Sequence, residues 1–264
     1  DGYSDAYDAS DASIFTGVGS FANQEASGDV GVININIKDV FELNNGAKVS
    51  IANKGQAIQN DFLLKLSTPA QGYLSIIAKT IDLKNHSSLT SQAVASSSAA
   101  DIFLTASNEL SLNNLSVITS ESENADAGDI FIQSGPLNIY NSQITTSVSG
   151  AGDGGDINIS SGIITMFSGF IQANTLGKSG LGGDIYIDTP QILASYSNVE
   201  VGGGSPVSFV PNGIVNIIQA ASPSGIPGNI SISNPDTDDS SSLGNISTQL
   251  KKTETLNSNP CRIA

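Results

Sequence analysis

The acids are the residues of this chain best equipped for chemistry. Hydrolysis of a glycosidic bond takes two carboxylates across a groove, and elimination on a uronate takes a base and a metal. Asp236, Asp238 and Asp239 form the densest set, but they stand in the Ser-rich run NPDTDDSSS, where solvated acid is the simpler reading. Asp153 and Asp156, in GAGDGGD, are the next pair. Enzymes acting on polyuronates commonly neutralise the substrate with Arg or Lys, and the one arginine here is Arg262, close to the end. His86, in KNHSS, reads as an exposed corner residue rather than a base. Cys261 is the only cysteine, so it forms no internal disulfide; crosslinking through its thiol is the alternative to an inert tail residue. No catalytic, cofactor-binding or metal-binding residue is assigned, and the chain is expected to be no enzyme and to carry no cofactor.

Gly-Asp pairs recur at Gly28-Asp29, Gly128-Asp129, Gly155-Asp156 and Gly183-Asp184. One reading is a turn signal, with Gly supplying positive φ and Asp bonding back to the backbone. The other is a calcium column, although calcium turns of the glycine-rich kind need a nine-residue period that is absent here.

What must position these residues is a repeat. GYLSIIA from Gly72, ADIFLTA from Ala100, GDIFIQS from Gly128, GDINISS from Gly155 and GDIYIDT from Gly183 start 28, 28, 27 and 28 residues apart. A second element follows in each unit: IDLKN from Ile81, LSLNN from Leu110, LNIYN from Leu137, ITMFS from Ile164 and ILASY from Ile192. A third centres on Leu89, Val117, Ile144, Ile171 and Val199. Alternate apolar residues, such as Ile130 with Ile132, have the period of two that puts both on one face of a strand. Strands this short bury nothing alone and form a core only by stacking on neighbouring units. The expected fold is all-β: a single-stranded right-handed parallel β-helix, or solenoid, with three short strands per coil of about 28 residues. Stacked antiparallel hairpins or a propeller are the other arrangements, and a propeller blade fits a 28-residue unit poorly.

If Ile130 and Ile132 face in, Phe131 faces out, and its equivalents are Phe103, Asn158 and Tyr186. Phe103, Phe131 and Tyr186 are therefore a candidate strip for sugar rings or a partner. The alternative is that stacked aromatics shield neighbouring backbone. Loops rich in small polar residues, VASSSA, ESENADA, VSGAGDG and LGKSGLG, are expected to project outward. An ice-binding face needs regular Thr ladders, and Thr119, Thr145 and Thr146 are not expected to extend through the equivalent coils.

With 25 acidic against 10 basic residues, the net charge is -15. Such a surface repels phosphates and anionic lipid, which argues against nucleic acid and direct membrane insertion. No apolar run approaches the roughly 20 residues of a membrane helix, and the start shows no signal peptide, as a processed product or a piece of a longer chain would not. The organisation expected is a frayed or partial coil over 1–27, an irregular coil with an insertion over 28–71 and regular coils over 72–202. Atypical terminal coils follow over 203–233, with last short strands in NGIVNIIQ and GNISIS, then a polar loop and tail over 234–264.

The pattern GDIxIxx, then LxLxN, then a polar residue before IxTS and a Gly-Asp or Gly-Gly loop, resembles the repeats of filamentous-haemagglutinin-type exoproteins, especially large cyanobacterial ones of two-partner secretion systems. GIPGNISISNPDTDDSSSLGNISTQL and the run to Asn259-Pro260-Cys261 resemble their closing segment. The likeness covers most of the chain from Gly28. It implies a carboxy-terminal part of a β-helical passenger, exported through an outer-membrane secretion partner and left at the cell surface or released. The implied role is a non-enzymatic structural or adhesive stalk in attachment or aggregation, with a cell-surface glycan or protein as receptor. That family's amino-terminal Asn-Pro-Asn secretion motif has no counterpart, since Val210-Pro211-Asn212 departs at its first position. The alternative is a polysaccharide-binding or polysaccharide-cleaving β-helix, pectate-lyase-like or glycoside-hydrolase-like, using loop carboxylates.

Overall fold

The structure is a computed structural model and describes residues 17–22, 31–53, 72–94, 97–177, 180–195 and 199–233. Among these residues the regular elements are strands, joined by parallel pairing into one sheet that winds as a β-solenoid. No helix among them is long and apolar enough to cross a membrane.

Each coil has three faces. The first coil is β2 (Ile33–Asn36), β3 (Val40–Leu43) and β4 (Lys48–Asn53), with β1 (Gly17–Ala22) paired to β4 on the third face. In the second, β5 (Tyr73–Lys84) covers faces one and two and β6 (Ser88–Ala93) face three; β7 (Asp101–Asn113) and β8 (Val117–Ser122) repeat this. β9 (Ile130–Val148) and β10 (Ile157–Thr175) carry ladder pairing through both corners, so all three faces belong to one bent strand. The sixth coil holds β11 (Ile185–Asp188) and β12 (Ile192–Ala194), and β15 (Ile230–Ser233) pairs with β11.

The core is a set of aliphatic columns parallel to the long axis. Ile33, Leu74, Ile102, Ile130, Ile157, Ile185 and Ile230 form one on face one, and Phe41, Ile81, Leu110, Leu137, Ile164 and Ile192 its counterpart on face two. Most of these side chains are fully buried. Each contributes about 1.5–3 kcal/mol of burial free energy, with neighbouring coils about 4.8 Å apart.

On face three the register differs from the sequence reading. Ile118, not Val117, lies between Leu89 and Ile144, while Val117 aligns with Gln143 and is half-buried. Two irregularities cause this: an extra residue in the third coil between faces one and two, where the register shifts between Ala78 and Thr80, and a corner of variable length. Asn45, Asn85, Asn114, Asn141 and Ser168 all turn through the left-handed region, with φ of 55, 52, 51, 47 and 50°. A second residue also turns in the second and third coils, His86 at φ 65° and Leu115 at 66°, whereas Asn141 makes its corner alone. The fourth coil is one residue shorter at this corner, which brings Ile144 back over Ile118. The Asn side chains tie the corners together: Asn85 Nδ2 donates to Asn44 Oδ1 (2.9 Å) and Asn114 Nδ2 to Asn85 Oδ1 (3.1 Å).

Val199 does not continue that column either. The chain overshoots into β13 (Val199–Val201) and then doubles back. β14 (Asn216–Gln219) lies between β10 and β13, with Ile218 opposite Ile171. Residues 202–213 cross the outside of face three, tied by Gln219, which accepts from Val207 N–H (2.8 Å) and donates to Ser205 O (2.9 Å). Phe209 packs edge-on against buried Phe170 at 5.1 Å.

At the other end, Ile33 pairs with Leu74, so Gly31 rather than Gly28 lies opposite Gly72. Gly28 and Asp29 lie outside the described residues, as do Asp236, Asp238, Asp239, Cys261 and Arg262.

Candidate functional site

Inward Ile130 and Ile132 force Phe131 outward, and the ladder sets it beside Phe103 on one side and Asn158, Tyr186 and Ser231 on the other. The three aromatics of the sequence-derived strip therefore do share one column. Phe103 and Phe131 stack at 4.8 Å with ring planes 4° apart, the spacing of the coils, and Tyr73 meets Phe103 edge-on at 6.0 Å. Thr105, Gln133, Ser160, Asp188 and Ser233 form the next outward column. Together they line an open groove of about 490 Å³. Tyr186 Oη donates to Asp184 Oδ2 (2.8 Å), which pushes the phenol pKa up.

The Gly-Asp pairs flank this groove, and the structure changes the reason for both residues. None of Gly128, Gly155 and Gly183 is among the glycines with positive φ. A Cβ at each would instead collide with the carbonyl oxygen of the residue one coil earlier: Ala100, Gly128 and Gly155 respectively. Each Asp reaches the next coil rather than its own turn. Asp101 Oδ1 accepts from Asp129 N–H (2.8 Å), Asp129 from Asp156 (2.7 Å), Asp156 from Asp184 (2.7 Å) and Asp184 from Asn229 (2.7 Å). A second ladder runs from Asp126 to Asp153 N–H (3.0 Å) and from Asp153 to Leu181 N–H (2.8 Å). Asp153 and Asp156, the sequence candidates for a carboxylate pair, are thus both rungs holding coils together. Among the described residues no group of three or more His, Cys, Asp or Glu converges to hold a metal ion.

Burial pushes the Asp129 carboxyl above its ordinary value of 3.8; the hydrogen bond from Asp156 opposes this, and the Asp101 and Asp156 charges add to it. Asp101 is raised as well, again chiefly by burial. A raised folded-state pKa means the folded chain holds its proton to higher pH than the unfolded one, so ionised Asp129 costs stability near neutral pH. Asp129→Asn keeps an oxygen acceptor for Asp156 N–H and removes the charge. Its melting temperature is expected to exceed the parent's at pH 7, with the gap closing as pH falls towards 3.8. Asp129→Ala leaves the Asp156 N–H without its acceptor and is expected to cost about 1–3 kcal/mol. Thermal melts of both variants from pH 4 to 8 read the sign directly.

His86 is exposed at a corner, with φ 65° and its N–H donated to Asn114 O (2.9 Å). The polar loops are less free than expected. Cβ atoms at Gly150, Gly152, Gly177 and Gly180 would strike backbone of the preceding coil's loop, so these loops stack too. The hydroxyl ladder also extends further than the sequence indicated: Ser50, Thr90, Thr119 and Thr145 are in register. Thr90 Oγ1 donates to Ser50 Oγ (2.8 Å), and the Thr119 and Thr145 hydroxyls share a bond at 3.0 Å. Ser50, Thr90 and Thr119 are at most 5% exposed, which makes this a packed seam and no open face for ice. Sequence reading missed a second aromatic pair, Tyr140 stacked on Phe167 at 4.8 Å on face two; its signal was the shared offset in LNIYN and ITMFS.

In comparisons with family models, curated proteins and solved structures, the chain matches none. The fold itself, a parallel β-solenoid, is of the kind found broadly among repeat β-helix proteins.

Proposed function

We propose that the chain is a non-enzymatic structural and adhesive stalk segment, part of a secreted or cell-surface exoprotein of the filamentous-haemagglutinin type that leaves the cell through an outer-membrane partner. One observation carries the reading: corner asparagines and loop aspartates are bonded from coil to coil, while Phe103, Phe131 and Tyr186 line one open groove. Among the described residues Asp188 is the only carboxylate lining that groove, whereas glycoside hydrolysis takes two at a set separation. A stalk needs stable coils and an exposed face, and both are present. The acidic surface favours solubility outside the cell and disfavours anionic partners.

The test is attachment of latex beads coated with the chain to bacterial or host cells. Coated beads are expected to bind several-fold more than bare beads, and Phe103→Ala/Phe131→Ala/Tyr186→Ala beads to fall back towards the bare level while circular dichroism stays β-rich. Equal binding by coated and bare beads would reduce the segment to an inert spacer.

A further inference from the structure

The aromatic column is interrupted once. Phe103 and Phe131 fill the coil spacing by stacking, but Asn158 follows in the next coil and Tyr186 in the one after. Phe131 and Tyr186 therefore stand two coils apart, about 9.6 Å at the usual interstrand distance. The space between them, over Asn158, is part of the groove. Two ring faces in van der Waals contact with a third ring need a gap of that order.

The floor and side of this space are polar. The side chains of Gln133, Asn158 and Asp188 make no hydrogen bond among the described residues, so their amide and carboxylate heads are available. An apolar wall at each end with donors and acceptors below matches a pyranose, whose C–H faces are apolar and whose rim carries hydroxyls. Phe131 and Tyr186 close this space at both ends along the solenoid axis, and an equatorially linked pyranose continues its chain in the plane of its ring, so a linear polymer would leave the space sideways, across the groove. Charge narrows the chemistry: Asp188 lines the groove, Asp156 and Asp184 flank it, and the chain's net charge is -15. Uronates and sulfated sugars are repelled, and amine-bearing sugars attracted.

We propose that the space between Phe131 and Tyr186, over Asn158, is a subsite for one ring of a linear, neutral or amine-bearing glycan laid across the groove. The assignment rests on the adhesive reading above and gives its receptor a chemical class. Asn158→Phe is the informative variant, because it continues the Phe103–Phe131 stack and fills the subsite without touching the core.

Calorimetric titration of the full chain with β-linked hexamers of glucosamine and N-acetylglucosamine, with hexagalacturonate as the anionic control, tests it. Both neutral and amine-bearing hexamers are expected to bind, the glucosamine hexamer several-fold tighter at low salt, and hexagalacturonate not at all. Asn158→Phe should weaken both by tenfold or more with an unchanged or higher melting temperature, and Asp188→Asn should erase the preference for glucosamine. Equal binding by Asn158→Phe and the parent overturns the subsite. If neither hexamer binds while coated beads still attach to cells, the glycan assignment fails, the adhesive reading stands and the receptor is a protein. If beads and hexamers both fail, the two readings fall together.

Discussion

Excision of residues 130–156 is expected to leave a chain that folds cooperatively, whereas excision of the shorter stretch 130–143 abolishes cooperative folding. The first cut removes one coil. Ile157 then follows Asp129 and takes the place of Ile130 opposite Ile102, because Ile130 is the common partner of both. Every inner column loses one rung and keeps its phase, and Ile171 takes over from Ile144 above Ile118. In a stack whose stability is a sum of coil and neighbour terms, the loss is one coil's share. The second cut advances the chain by half a coil. Asn158 and Ser160 then fall where Ile144 and Thr146 stood, on the inner side of face three, while Ile157 and Ile159 turn to solvent. Several amides and hydroxyls enter the core unpaired, at about 1–3 kcal/mol each. Urea unfolding followed by circular dichroism should show one sharp transition for the 27-residue deletion and none for the 14-residue deletion. A sharp transition in both would mean that the columns do not set the register.

The inner columns of faces one and two were legible because their signal is local. Ile130 and Ile132, or Ile157 and Ile159, declare their side by alternation, and the near-constant step between units declares what stacks on what. The same parity places Phe103, Phe131 and Tyr186 together. Face three differs from the sequence reading by one residue because its register depends on the extra residue between faces one and two of the third coil and on how many residues turn at a corner. Asn114-Leu115 and Asn141 look alike in sequence, yet two residues turn in one and a single residue in the other. The insertion of β14 between β10 and β13 was illegible for another reason: it is a choice between two partners for Ile171, Val199 and Ile218, decided by the Gln219 bonds to the returning loop. The Gly-Asp pairs were seen and misread. A motif that recurs once per coil can serve a turn or a stacking contact, and only the neighbouring coil distinguishes them.

That distinction yields the largest expected effect of any one substitution considered: Gly155→Val is expected to destabilise the fold by about 3 kcal/mol or more. A Cβ at Gly155 meets the Gly128 carbonyl, main chain against main chain, so no flexible side chain can swing aside. Relief would require the two coils to part. The ladder resists this on both sides, through Ile130 N–H to Asp156 O (2.9 Å), Ile157 N–H to Asp184 O (2.9 Å) and Asp156 N–H to Asp129 Oδ1 (2.7 Å). Ala100 fills the same place two coils earlier, so one methyl can be taken up by a local shift there, but valine adds two more carbons at the same point. Gly46 and Gly204 make the contrast. At Gly46 nothing lies within 4 Å of a Cβ, and only its φ of +77° opposes a side chain; Gly46→Ala should cost about 1 kcal/mol. Gly204 has open space and no positive φ, so Gly204→Ala should change stability by about 0.5 kcal/mol or less. Denaturant midpoints for the three variants are therefore expected in the order Gly204→Ala, Gly46→Ala, Gly155→Val. Were Gly155→Val to match Gly46→Ala, the close approach of the coils would not be what selects the glycine.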